Sequence, residues 1–257
     1  MSLLSLRGKI VAEYVIDPDI DPTLVPRPYL HPVRTLTGTA VTDVLPEDHE
    51  WHLGAGIAMP DVSGTNLWGG RTYVHGQGYV WLPDHGRIVH TGWRSQSDNA
   101  FAHDLHWLSP NGTTLLEEQR EIRAEAVDDR SWRLTVSTRL TNPGKALVEL
   151  RTPALNGRGE GAGYGGFFWR LPPTIDVELS AGSLRAESAI NGSATPELTV
   201  SSARYSLTFS GLADNDRWFA RIAEYPGIGA SLAFDQPLVI GPGCALSRTY
   251  HVVIADR

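Results

Sequence analysis

The chain has 257 residues, a formal net charge of −7 and a hydrophobic fraction of 41%. That length suits one large β domain, so residues 1–257 are expected to form a single unit. The charge carries no basic block, which excludes an electrostatic grip on nucleic acid, and no run approaches the ~20 apolar residues that a membrane helix needs. The first sixteen residues carry Arg7, Lys9 and Glu13 and no apolar stretch of signal-peptide length. Cys244 is the single cysteine, so no internal disulfide can form, and a cytoplasmic protein is expected.

Taken in chain order, the first feature is a proline-rich stretch from Asp17 to Pro32, read as a crossing arm. It contains His31, the first of several histidines that stand out. His49-Glu50-Trp51-His52 and His103-Asp104-Leu105-His106 follow. Imidazole exchanges protons near neutral pH and ligates metals, so this clustering needs a reason. His49 and His52 are three apart and would point to opposite sides of a flat strand. They can cooperate only on a loop, and Pro46 and Asp48 supply loop chemistry.

From Thr114 to Ala124 the alternation puts Leu116, Glu118, Arg120 and Ile122 on one face. A charged pair between two apolar residues on a core face is costly unless it is paired or functional. Glu118 and Arg120 are therefore expected to be buried, facing the same cavity as His49. Trp132, Leu134, Val136 and Leu140 alternate with polar residues as a one-face-buried strand, and so do Tyr205, Leu207 and Phe209. From Thr249 to Ile254 both faces are apolar enough to suggest a strand covered on each side. Between these runs stand turn sequences such as Asn142-Pro143-Gly144 and Pro242-Gly243.

Gly157 to Arg170 is a glycine-rich loop running into an aromatic strand. Tyr164, Trp169 and Arg170 there could supply a stacking platform and a hydrogen-bonding fork. With 26 glycines and 17 prolines spread along the chain, long helices are not expected. Many short strands predict an all-β fold, a large antiparallel sandwich.

Several segments resemble the soluble PmoA-like family. They are Arg27-Pro28-Tyr29-Leu30-His31-Pro32-Val33-Arg34-Thr35, Pro46-Glu47-Asp48-His49-Glu50-Trp51-His52, Asp61 to Gly69, Tyr164 to Arg170, and Gly243 to Asp256. The family name is not a function, because a methane monooxygenase subunit is a membrane protein. The family pattern reads Asp-His-x-His-His-Arg-Gly; here Glu50-Trp51-His52-Leu53-Gly54 replaces part of it, so one expected His and the Arg are absent. The resemblance implies a sandwich similar to that of galactose mutarotases, with His, Glu and Arg gathered around a sugar.

These readings converge on a carbohydrate-active enzyme using histidine acid–base catalysis, of lyase, hydrolase or epimerase type, with a small-molecule carbohydrate as its partner. The expected catalytic groups are His49, His52, His31 and Glu118. Arg34, Trp68, His106, Arg120, Tyr164, Trp169 and Arg170 are expected to bind substrate. No cofactor is expected. The two alternatives are a metal-dependent sugar enzyme, with His31, His49, His52 and a carboxylate as ligands and His103 or His106 as substitutes, and a non-catalytic sugar-binding module. A homo-oligomer is compatible with either.

Overall fold

The computed structural model describes residues 2–159, 161–173, 177–213 and 215–257. The first half of the chain forms β1 (Ser2–Leu6), β2 (Lys9–Val15), β3 (Tyr29–Val33), β4 (Ala55–Val62), β5 (Thr65–Leu67), β6 (Thr72–Val74), β7 (Gly78–Val80), β8 (Arg87–Gln96), β9 (Ala100–Leu108) and β10 (Thr114–Ala126). The second half adds β11 (Ser131–Thr141), β12 (Val148–Arg151), β13 (Gly166–Arg170), β14 (Glu178–Ser180), β15 (Glu197–Ser201), β16 (Tyr205–Ser210), β17 (Arg217–Arg221), β18 (Gly227–Ser231), β19 (Leu238–Ile240) and β20 (Ala245–Asp256). Among the described residues helix is confined to single turns, the longest being the five residues Ala154–Arg158.

Two sheets face each other. One runs β1-β2-β3-β4-β13-β18-β17, with β5, β12 and β19 attached at one side. The other runs β14-β15-β16-β20-β11-β10-β9-β8. β6 and β7 form a separate hairpin. The strands of both sheets pair antiparallel, so the protein is a large antiparallel β-sandwich.

The alternation read in the sequence is the alternation of the core. Trp132, Leu134, Val136 and Leu140 on β11 and Tyr250, Val252 and Ile254 on β20 are buried in one continuous cluster with Ile57, Phe167, Trp169 and Trp218 of the opposing sheet. Aromatic pairs join the layers. Phe167 stacks on Tyr250 with centroids 5.2 Å apart, and Trp169 meets Phe209 edge-on at 5.6 Å. Such pairs add about 0.5–1.5 kcal/mol each beyond the area they bury. On β20 the second face is not covered as the sequence suggested. Thr249 is exposed and His251 and Val253 are half-buried, because that face of the sheet looks outward.

Glu118 and Arg120 are buried as expected, but inside this core. The Glu118 carboxylate accepts from Arg120 Nε at 2.7 Å and Nη2 at 2.8 Å, from Trp107 Nε1 at 2.7 Å and from Thr138 Oγ1 at 2.8 Å. Arg120 Nη1 donates onward to the Tyr14 hydroxyl at 3.2 Å, and Tyr14 in turn meets His103 Nε2 at 3.0 Å. This network links the two sheets.

Candidate active site cleft

The side of the first sheet that faces away from the core carries the site. On β13, Phe167 and Trp169 point inward, so Phe168 and Arg170 point outward. Register then places Gly56, Phe168, Gly229 and Phe219 in one row across β4, β13, β18 and β17. Arg170, Gly227 and Arg221 form the next row. The two glycines of β18 leave a trough between large neighbours. A Cβ on Gly227 would lie 2.9 Å from the Phe168 ring and 3.1 Å from that of Tyr225.

Loops wall this trough into a cleft of about 420 Å³. The first wall is the segment 46–52. His49 N donates to Pro46 O and His52 N to His49 O, both at 2.9 Å, so two successive turns bring His49 and His52 to one side. Trp51 packs on Gly70, where even a Cβ would come within 2.5 Å of its ring. Buried Arg27 donates to Trp51 O at 2.8 Å and to Val25 O at 2.9 Å. Burial first, then the Arg120 charge, push this guanidinium down to about 9.

The second wall is Trp68, braced by Asn66, whose Oδ1 accepts from Trp68 N at 2.9 Å and Gly69 N at 2.8 Å. Trp68 packs on Tyr164 at 4.7 Å and on Phe168 at 4.9 Å. The β6–β7 hairpin brings Tyr79, whose hydroxyl lies 3.1 Å from that of Tyr164. Arg71, Trp81, Arg158, Arg221, Glu224 and Tyr225 complete the lining.

Asp48 ties the polar groups of this wall together. Its carboxylate accepts from Arg170 Nη2 at 3.0 and 3.2 Å and from His49 Nδ1 at 2.8 Å. Partial burial raises the Asp48 pKa, but the His49 hydrogen bond and the Arg170 charge outweigh it and hold the group below the usual carboxylate range. A carboxylate can only accept, so His49 donates from Nδ1, which leaves Nε2 as the lone-pair nitrogen of its neutral form. Arg170 Nη1 lies 3.3 Å from His52 Nδ1. A guanidinium can only donate, so His52 Nδ1 accepts and its proton sits on Nε2. Burial first, then the charges of His49, Arg170 and Arg27, push the His52 pKa well below its ordinary value. His52 is therefore neutral at pH 7, a fixed N–H donor stacked 4.7 Å from His49 at an interplanar angle of 15°. The cleft thus pairs a carboxylate-oriented imidazole with a neutral donor beside it.

The family model that matches is described as a family of unknown function, and it spans residues 2–257. The chain belongs to DUF6807. No curated protein matches it. Among solved structures, an Escherichia coli K12 protein named "Putative aldose 1-epimerase" is 11% identical over 77% of this chain and 75% of its own, with a TM-score of 0.39. The Slr1438 protein of Synechocystis sp. PCC 6803 is 12% identical over 100% of both chains, with a TM-score of 0.46. Both are distant likenesses of overall shape, and the site of this DUF6807 member rests on its own geometry.

Of the residues singled out in the sequence, His49, His52, Trp68 and Tyr164 line the cleft, and Arg170 lies beneath it. Six others are elsewhere. Glu118 and Arg120 are sealed in the core, so the cavity they were expected to share with His49 is not formed. Trp169 points inward from β13 and donates to Val41 O at 2.7 Å. His31 is held on β3 by Thr42 Oγ1 at 3.0 Å, and Arg34 Nη1 reaches Gly38 O at 3.4 Å. His106 is half-buried on β9 in the other sheet. Since His31 stands apart, the His31–His49–His52 ligand set is not assembled. Among the described residues no group of three His, Cys, Asp or Glu side chains could hold a metal ion. Glu160, in the glycine-rich stretch, lies outside the described residues.

In the sequence Asp48 reads only as a loop marker, and Arg221, Glu224 and Tyr225 do not stand out at all. The Phe168/Arg170 alternation is the available signal for the floor. Nothing local marks 221–225, which the sheet order brings in from a distance.

Proposed function

We propose that this cleft binds a carbohydrate and that the protein is a carbohydrate-active enzyme working by histidine acid–base catalysis. The observation that carries the reading is the Asp48–His49–His52–Arg170 arrangement at the base of an aromatic-walled cleft. Trp51, Trp68, Tyr79, Trp81 and Tyr225 offer ring faces suited to the C–H faces of a sugar. His49 Nε2 is free to take a proton from carbon beside a carbonyl or from a hydroxyl. The His52 Nε2–H is placed to stabilise the oxygen on which negative charge develops. That division of labour fits lyase, epimerase or hydrolase chemistry, each of which needs one group accepting a proton and one donating to oxygen.

No helix among the described residues is long and apolar enough to cross a membrane. The exposed thiol of Cys244 suits a reducing compartment, so cytoplasmic work belongs to the proposal. The PmoA-like resemblance does not enter it, because neither the matching family nor the two similar structures bear that name.

The test is turnover of a panel of free, oxidised and glycosidic sugars by wild type and by His49→Gln, with binding followed by tryptophan fluorescence. The proposal expects His49→Gln to lower turnover about 100-fold or more with binding retained. Sugar binding with no turnover of any panel member would make the protein a binding module. No binding at all would remove the carbohydrate reading.

A further inference from the structure

We infer that the sugar taken by this cleft is acidic, its anionic group held at the rim by Arg71 and Arg158. This inference rests on the carbohydrate reading and adds the substrate's charge to it. The chain as a whole carries a formal net charge of −7. Yet among the described residues the cleft lining includes Arg71, Arg158 and Arg221 against two carboxylates, Asp48 and Glu224.

Both carboxylates are already engaged. Asp48 is held by Arg170 and His49. Glu224 is held by Arg221 Nη1 at 2.7 Å, and that hydrogen bond, followed by the Arg221 charge, keeps its carboxyl below the usual range. Among the described residues, Arg71 and Arg158 have no carboxylate partner. Each lies over an aromatic ring instead, Arg71 over Trp81 at 5.8 Å and Arg158 over Tyr79 at 5.2 Å. A ring face steadies a guanidinium without using up its N–H donors.

The two arginines share a mount. Arg71 leads into β6, and Tyr79 is on β7 of the same hairpin. Tyr73 on β6 donates through its hydroxyl to Gly157 O at 3.2 Å, which ties the Arg158 turn to that hairpin. Deeper in the cleft, besides the His49 Nε2 acceptor, the described residues include further donors. The tautomer of His52 leaves it an Nε2–H to give, and Arg221 Nε–H is buried without an acceptor. A wall of unmatched donors is complementary to a ligand that brings acceptors and negative charge. A carboxylate or a phosphate on the sugar meets that description.

The experiment measures Kd by calorimetry for matched pairs: glucuronate with glucose, galacturonate with galactose, and glucose 6-phosphate with glucose, with inorganic phosphate alone as a further probe. The expected result is that at least one acidic sugar binds about 10-fold or more tightly than its neutral parent at low salt. The ratio should shrink as salt rises. Arg71→Gln/Arg158→Gln should reduce it to near unity. Both residues are exposed, so the double variant is expected to fold, which its unfolding midpoint checks. The uronate and phosphate arms separate the two anionic groups. Equal or weaker binding of every acidic sugar overturns this inference and leaves the carbohydrate reading standing. Phosphate binding that depends on the two arginines, with no sugar bound, keeps the anion subsite and removes the carbohydrate reading. No binding of any probe removes both.

Discussion

Glu118→Gln separates a structural role for the buried carboxylate from a catalytic one. The substitution keeps shape and removes charge, leaving the Arg120 guanidinium, 1% exposed at its side chain, without a counter-ion in the sandwich core. Three side chains donate to that carboxylate: Arg120, Trp107 and Thr138. An amide cannot accept from all of them, because one of its two heads is itself a donor. Breaking a buried ion pair by removing one partner costs about 3–5 kcal/mol. Against a typical stability of about 5–15 kcal/mol this is a large fraction. For a chain of this size it corresponds to a fall in Tm of about 6–20 °C. The assay is urea denaturation followed by tryptophan fluorescence, with ligand affinity and turnover measured below the transition. The folded fraction of Glu118→Gln should retain the wild-type cleft properties. A loss below about 1 kcal/mol would refute the energetic argument. A fully folded variant with turnover abolished would return Glu118 to the chemistry.

Three further outcomes follow from the same geometry. Asp48→Asn should lower turnover by about 100-fold or more, because an amide can donate to His49 Nδ1 and move the proton to Nε2. Asp48 is 44% exposed, so the same change should cost no more than about 1–2 kcal/mol in urea titrations. His103, pushed down to about 3 by burial first and then by the Arg120 and His90 charges, is neutral in the folded protein while the unfolded chain protonates near pH 6.5. The unfolded state therefore binds the extra proton, and stability should fall as pH drops from about 6.5 toward 3, approaching about 1.4 kcal/mol per unit from this group. A His103→Gln variant with a correspondingly shallower pH slope checks it. Gly227→Ala should destabilise by about 1–3 kcal/mol through overpacking against Phe168, while Gly92→Ala, with nothing within 4 Å, should be near neutral in the same thermal melts.

The fold is largely legible because one-face-buried strands write their burial directly into period two. Trp132 to Leu140 and Tyr205 to Phe209 are strands with the faces the alternation assigned. The site is legible in part. Pro46 and Asp48 mark a turn, and a turn is what lets His49 and His52 share a side. At β10 the broken alternation correctly indicates buried charge, but a carboxylate–guanidinium pair reads the same whether it lines a cleft or pins two sheets together. Trp169 and Arg170 read as one platform in the sequence, although adjacent strand residues face opposite ways. Applying period two one step further sends Trp169 to the core. Arg221, Glu224 and Tyr225 carry no local signature, since their place depends on β17 lying two strands from β13.

The position of β13 explains how a rigid core and the histidine-bearing loop are coupled. It lies between β4 and β18 in its sheet, so its inward and outward residues are flanked on both sides. Inward, Phe167 and Trp169 lock against Tyr250 and Phe209 of the opposing sheet, which fixes the strand. Outward, that fixed strand presents Arg170. The 46–52 loop has few apolar anchors of its own, and its Asp48 is substantially exposed. Arg170 reaches up to Asp48 and His52 together, while Arg27 holds Trp51 from beneath. One guanidinium thereby sets the tautomer of His52 directly and that of His49 through the carboxylate it orients. The proposed acid–base pair sits on a loop, but its geometry is inherited from the strand that packs the core.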